Sequence, residues 1–438
     1  MRCVGLLATI AGCGAPTAQP DATLDPTYTH ASLIKAPIVH DRSHFGARVA
    51  MSGDGRTLAV AAPSDDSGQT GVASDGTDRS LPLAGSVHIF AATATGWLPQ
   101  AYLKPAVAGE ADQFGTSLGL STLGDTLVVG APGEGSRATG VGGDANDNAA
   151  SGAGAAYVFK RHGLQWQQQA YLKASNTGGG DELGLAVAIA GDGNTVAVGA
   201  PAEDSDGLDQ TSDAARDAGA VYVFTTDGET WAQAAYVKAA NPVELDAFGG
   251  SVALSADGAT LAVGASGRES AYVFHGAGGR WTQATALAAV VTHAGDGFGS
   301  AVALGGLGTT LVVGAPLEAN HGAAYVFALT GATWAPAAHL AAMGTDDRFG
   351  AAVAISGDGK VVAASAPGDD AIAMDSGAVT IFDGPSYARA TTVKAPTPHQ
   401  GDRLGSAVAL SGSGSSLAVG VALDNLEGVA SGAVYDCH

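Results

Sequence analysis

A phrase that opens on Phe-Gly or Leu-Gly and closes near Gly-Ala-Pro recurs seven times along the chain, and a repeat of this kind constrains the fold more than any isolated motif. It reads "HFGARVAMSGDGRTLAVAAP" from His44, "QFGTSLGLSTLGDTLVVGAP" from Gln113 and "ELGLAVAIAGDGNTVAVGAP" from Glu182, and returns from Ala247, Gly297, Arg348 and Arg403. After a variable loop each copy continues into a stretch such as "GAVYVF" and then one such as "WAQAAYVKAA". All five tryptophans open that last stretch, and all eleven phenylalanines fall in the Phe-Gly pair or at the end of the third stretch. Large aromatics confined to fixed positions indicate one packing site used repeatedly.

Within a unit, runs of alternating apolar residues flank "GDG", a strong short hairpin signal because Asp-Gly tolerates the positive φ angles of a tight turn. Four strands per unit are predicted, and four-stranded units of roughly 40–50 residues point to propeller blades. The expectation is an all-β, seven-bladed β-propeller of four-stranded antiparallel blades over residues 28–438. The last unit stops at its third strand, "GAVYDCH", whereas "YTHASLIKAP" near the N-terminus matches the fourth, so the first segment is predicted to complete the last blade and close the ring. Lys35, Lys104, Lys173, Lys238 and Lys394 recur on that fourth strand and read as edge charges that discourage strand addition.

Forty-two acidic against 20 basic residues give a formal charge of −22, which repels phosphate backbones and argues against a nucleic-acid partner. The N-terminus carries "IAGC" at Ile10 to Cys13, which resembles the lipobox of bacterial lipoproteins, although the leader is shorter than the usual ~15–30 residues. The resemblance implies residues 1–13 as a signal segment, Cys13 as the lipid-attachment residue, and residues 14–27 as a flexible tether. It also implies an extracytoplasmic address at the cell envelope, with the membrane touched only through the anchor. With Cys3 and Cys13 in the leader, Cys437 stands alone, at a position held elsewhere by phenylalanine, and is expected to be a buried free thiol.

Phe-Gly followed by Gly-Ala-Pro, seven times over, resembles the FG-GAP repeat of the integrin α-subunit N-terminal propeller and of bacterial FG-GAP proteins. That resemblance implies a propeller used for recognition. The calcium loop of integrin-type repeats does not carry over: "SGDGK" supplies only Asp358, and Asp54, Asp192 and Asp257 stand as alone in their turns, whereas calcium takes six to eight oxygens. These acids read as hairpin bends. A second recurrent acid, at Asp112, Asp181, Asp246, Asp296, Asp347 and Asp402, reads as a cap on backbone amides in the link between blades.

The loops after Pro63, Pro132 and Pro201 are long, and long loops on a rigid scaffold are where recognition resides. The candidate ligand-binding residues are Asp65, Asp66, Asp75, Asp78, Asp144, Asp147, Glu203, Asp204, Asp206 and Asp209. Within them Asp204, Asp206 and Asp209 form a candidate calcium cluster. The eleven histidines lack HExxH spacing and no GxSxG occurs. The leading expectation is a noncatalytic scaffold that adheres to a protein or glycan ligand. A carbohydrate hydrolase with carboxylates near the central channel, or a purely architectural envelope protein, stand as alternatives.

Overall fold

The computed structural model describes residues 31–72, 76–207, 210–290, 293–341, 347–425 and 429–438. Twenty-eight strands form seven four-stranded antiparallel sheets. Blade 1 comprises Arg48–Met51, Thr57–Ala62, Ser86–Thr93 and Gly96–Leu103, and blades 2 to 6 repeat that order. Blade 7 joins Ala407–Leu410, Leu417–Val421 and Ala433–Cys437 to the N-terminal strand Ala31–Ile34, which pairs Leu33 with Tyr435 and Ile34 with Val434. The N-terminal strand closes the last blade, as the sequence predicts. Among the described residues no helix is long and apolar enough to cross a membrane.

The second strands are buried along almost their whole length, Thr126–Ala131 at every position, because a neighbouring blade covers each face. Such burial demands small residues where backbones meet. A Cβ on Gly199 would stand 2.0 Å from the Gly249 carbonyl oxygen of the next blade, so the glycine of Gly-Ala-Pro packs directly on the glycine of the following Phe-Gly. Phe114 fills the space beneath, edge-on to Tyr157 and Phe159 at 5.5 and 5.9 Å between ring centroids.

The "GDG" turns answer to local chemistry. Ser52 Oγ accepts the backbone N–H groups of Arg56 and Thr57 at 3.2 and 2.9 Å and donates to Asp54 Oδ1 at 2.6 Å. Asp54 Oδ1 in turn accepts the Arg56 N–H at 3.0 Å. Each carboxylate is folded into its own bend. The bends are also bonded to one another: Thr122 N–H donates to Gly191 O, Gly191 to Ala256, Ala256 to Gly306, Gly357 to Gly412, and Gly412 to Gly53, at 2.8–2.9 Å. A belt of hairpin turns thus runs around one face and crosses the seam between blades 7 and 1.

Cys437 is fully buried, as expected of a phenylalanine position, but it is disulfide-bonded and not a free thiol. Its cross-strand partner is Ala31, where the described chain begins. The other cysteines, Cys3 and Cys13, lie outside the described residues.

Candidate functional site

The face opposite the hairpin belt carries the links between blades and the loops that follow Gly-Ala-Pro. There the recurrent acid caps the link as predicted: Asp112 accepts the Gly109 N–H at 2.6 Å, Asp181 that of Gly178 at 2.8 Å, Asp246 that of Val243 at 3.0 Å, and Asp402 that of His399 at 2.7 Å. Burial pushes the carboxyls of Asp112 and Asp181 up to about 6 against these stabilising amides.

The fourth-strand lysines are not edge charges. Lys104 and Lys173 are fully enclosed, and each follows the end of its strand where the long loop folds back to pair with it: Val72 bridges Leu103, and Val141 bridges Leu172. Lys173 Nζ donates to Glu134 Oε2 at 2.7 Å and to Gly154 O at 2.6 Å, and Lys238 Nζ donates to Glu203 Oε2 at 2.7 Å. Lys35 pairs with Asp424 and Lys394 with Asp369. Each of these acids stands two residues after the Gly-Ala-Pro position, so an acid on the loop and a lysine on the outer strand form one ion pair in four of the blades, buried in blade 2 and partly buried in blades 3, 6 and 7. Desolvation lowers the Lys173 pKa while Glu134 works against that fall.

This arrangement divides the candidate ligand-binding residues. Asp65 and Glu203 face inward. Asp65 accepts the Ser67 N–H, Ser86 Oγ and Tyr102 Oη at 2.8, 2.8 and 3.1 Å, and Glu203 accepts Lys238, Tyr236 and Asn176. They are anchors of the loop and not part of its outer surface, because a loop folded over the blade edge directs its first acid toward the lysine beneath. Asp144 is exposed, and Asp66, Asp78, Asp147, Asp204 and Asp206 are half-buried. Asp66 accepts the Leu83 N–H at 2.9 Å, Asp78 those of Gly68 and Ser80 at 3.0 Å, Asp204 that of Asp217 at 2.8 Å, and Asp147 pairs with Arg137 at 3.1 Å. Asp75 and Asp209 lie outside the described residues. Among the described residues no three His, Cys, Asp or Glu side chains converge as a metal site.

Blade 1 departs from its siblings in a way the repeat pattern signals but function-seeking motifs miss. Its third strand reads Val87-His88-Ile89-Phe90 where blades 2 to 5 place tyrosine, at Tyr157, Tyr222, Tyr272 and Tyr325. His88 is buried edge-on to Phe45 and Tyr102 at 5.2 and 5.0 Å. Burial pushes its imidazole down to about 4, with Asp65 opposing and His40 reinforcing the shift. His40 is 5% exposed, its Nδ1 has no hydrogen-bond partner, and Asp65 Oδ1 lies 3.7 Å away. Both histidines line a cleft with Ile38, Pro99 and Tyr102 at the seam with blade 7. Asp65 accepts bonds on both oxygens, which fixes its carboxylate in place beside the two histidines.

The FG-GAP repeat family matches residues 166–224, 281–327 and 334–382. Each matched segment runs from a tryptophan strand through the third strand of the next blade, and so contains a complete Phe-Gly to Gly-Ala-Pro phrase. The chain is an FG-GAP repeat β-propeller. No curated protein matches it. Among solved structures this FG-GAP propeller is similar to U3-55K, at 10% identity and TM-score 0.55 over 93% of this chain and 98% of the other. It is also similar to the WD40 repeats of RRP9, at 10% identity and TM-score 0.53 over 93% and 97%. The hydrazine synthase of Kuenenia stuttgartiensis superposes at 14% identity and TM-score 0.50 over 88% and 94%. At such identities the likeness concerns the ring alone, and a synthase and WD40 repeats share it equally well. The FG-GAP propeller fits a binding scaffold.

Proposed function

We propose that the FG-GAP propeller is a noncatalytic, extracytoplasmic scaffold that binds a protein or glycan with the loop face of blades 1 to 3. The observation that carries this reading is the pre-organisation of the long loops. They are pinned from below by Asp65, Glu134 and Glu203 and by pairing to the outer strands, which lowers the ordering entropy that binding would otherwise cost. Their outward carboxylates, Asp66, Asp78, Asp144 and Asp147, remain at the surface. The disulfide at Cys437 supports an address outside the cytoplasm, because disulfides persist in oxidising compartments. A thioether-linked lipid on Cys13 would exclude that sulfur from a disulfide, and intact mass before and after reduction reads both states.

The test is binding to a glycan array and to washed cell envelopes by the protein and by its D66N/D78N/D144N/D147N variant. The variant should lose binding about tenfold with little change in melting temperature, since the amide oxygens at positions 66 and 78 can still accept the loop N–H groups and the buried anchors are untouched. Equal binding by the two proteins, or none by either, removes the proposal.

A further inference from the structure

The first strand of every blade is hydrogen-bonded on one side only, so seven inner edges surround an axial channel. The seven equivalent positions at or beside the start of these strands, two residues after the glycine of Phe-Gly or Leu-Gly, are Arg48, Ser117, Ala186, Ser251, Ala301, Ala352 and Ala407. Six are small and uncharged, and the seventh is an arginine. All seven line one cavity of about 390 Å³. Arg48 stands at the end of its strand remote from the hairpin belt, toward the loop face. It is accessible to solvent yet walled by protein, and this enclosure lowers its guanidinium pKa. Among the described residues its side chain makes one hydrogen bond, from Nη1 to the neighbouring Ala47 carbonyl at 2.8 Å. No acid lines the cavity, and no ion pair to Arg48 occurs among the described residues.

A chain with 42 acids and 20 bases has ample carboxylate to neutralise this arginine, and among the described residues none lines its cavity. A guanidinium that lines a cavity without a counter-charge keeps its donors available to an anion that enters from solvent. Its planar fork of N–H donors matches a carboxylate or phosphate bidentately, and the unpaired inner strand edges add backbone N–H groups around the same axis. Ser117 Oγ and Ser251 Oγ donate to Gly184 O and Gly299 O of adjoining blades at 2.7 and 2.8 Å, and the Arg48 bond goes to Ala47 O.

We propose that the axial channel is a binding site for one small oxyanion, a carboxylate or phosphate group gripped by Arg48. The site is separate from the loop surface, and it stands whether or not that surface binds a partner. The acidic exterior repels anions at long range, so occupancy should rise when moderate sodium chloride screens the field over its ~8–10 Å Debye length, before chloride competes.

The experiment uses inorganic phosphate and acetate as probes, with calorimetry and the Arg48 Nε–H resonance as readouts. The reference variant is Arg48→Ser, which installs the residue native to Ser117 and Ser251 and so should fold. Phosphate or acetate should shift and protect the Arg48 Nε–H signal, saturating near ~1 mM, and Arg48→Ser should weaken binding at least about tenfold. Because two probes are compared, preference for phosphate or for acetate identifies the anion class. Binding unchanged in Arg48→Ser, or an Arg48 resonance unmoved by either probe, overturns the proposal and leaves a solvated arginine. A melting temperature equal in the two proteins without ligand shows that any loss is not a folding defect.

Discussion

His88 occupies a position that blades 2 to 5 give to tyrosine, and the substitution has a pH signature. Its folded pKa of about 4 lies below the ordinary 6.5 because burial penalises the imidazolium. The stability this represents is fully present above pH 6.5 and is lost as pH falls through 4, on the order of 3 kcal/mol in total. Asp112 and Asp181 act in the opposite sense. Their carboxyls are raised from 3.8 to about 6, so their contribution is complete below pH 3.8 and is lost as pH rises through 6. Replacing His88 with tyrosine isolates one component from the other. Thermal midpoints of His88→Tyr between pH 7 and 4 should fall less steeply than those of the parent, while the course above pH 6.5 stays parallel. Identical slopes would mean that His88 is protonated in the folded protein at no cost.

At the scale of the strand, the decisive contact is glycine on glycine between blades. Gly199 meets the carbonyl of Gly249, and Gly314 that of Gly350, each at 2.0 Å from an ideal Cβ position. Ala61 and Ser365 hold the equivalent places in blades 1 and 6, so the position admits a Cβ where the adjoining blade is set for it. Gly199→Ala should therefore destabilise by about 1–3 kcal/mol through forced displacement, read by chemical denaturation, whereas Ala61→Gly should cost about 1 kcal/mol or less. A neutral Gly199→Ala would show that blade spacing is set elsewhere. These strands and turns were readable from residues alone because alternation and Asp-Gly turns are local signals, complete within ten residues. The depth of Lys104 and Lys173 was not readable. It arises from the bridges Val72 to Leu103 and Val141 to Leu172, which depend on how a long loop returns to its own blade. The cleft of His40 and His88 was hidden for a similar reason, since it forms across the seam between the first and last blades, and its only trace in the sequence is one broken column of tyrosines.

For the whole molecule, the seam between blades 7 and 1 decides whether the ring behaves as a single body. Three kinds of interaction cross or complete it. The belt bond from Gly412 to Gly53 measures 2.9 Å, Gly46 N–H donates to Ala61 O beside a Gly420 that abuts Gly46, and the N-terminal strand pairs along Val434 to Cys437. The last of these is the most exposed to test, because Ile34 is 6% exposed and Lys35 ion-pairs with Asp424 at 2.5 Å, itself 2% exposed. Removing residues 31–36 deletes a buried isoleucine, worth about 1.5–3 kcal/mol, and takes the Lys35 ammonium from the buried Asp424 carboxylate, worth up to about 3–5 kcal/mol. It also bares the edge of the Ala433–Cys437 strand, which invites pairing with a second copy. The truncated protein should melt well below the parent and show concentration-dependent association in sedimentation. Because Ala31 lies opposite Cys437, a circular permutant joining His438 to Ala31 by a two-residue turn restores the same strand covalently from the other end, and should recover both stability and the monomer. A truncated protein as stable and as monomeric as its parent would place the closure of the ring in the hairpin belt and not in the N-terminal strand.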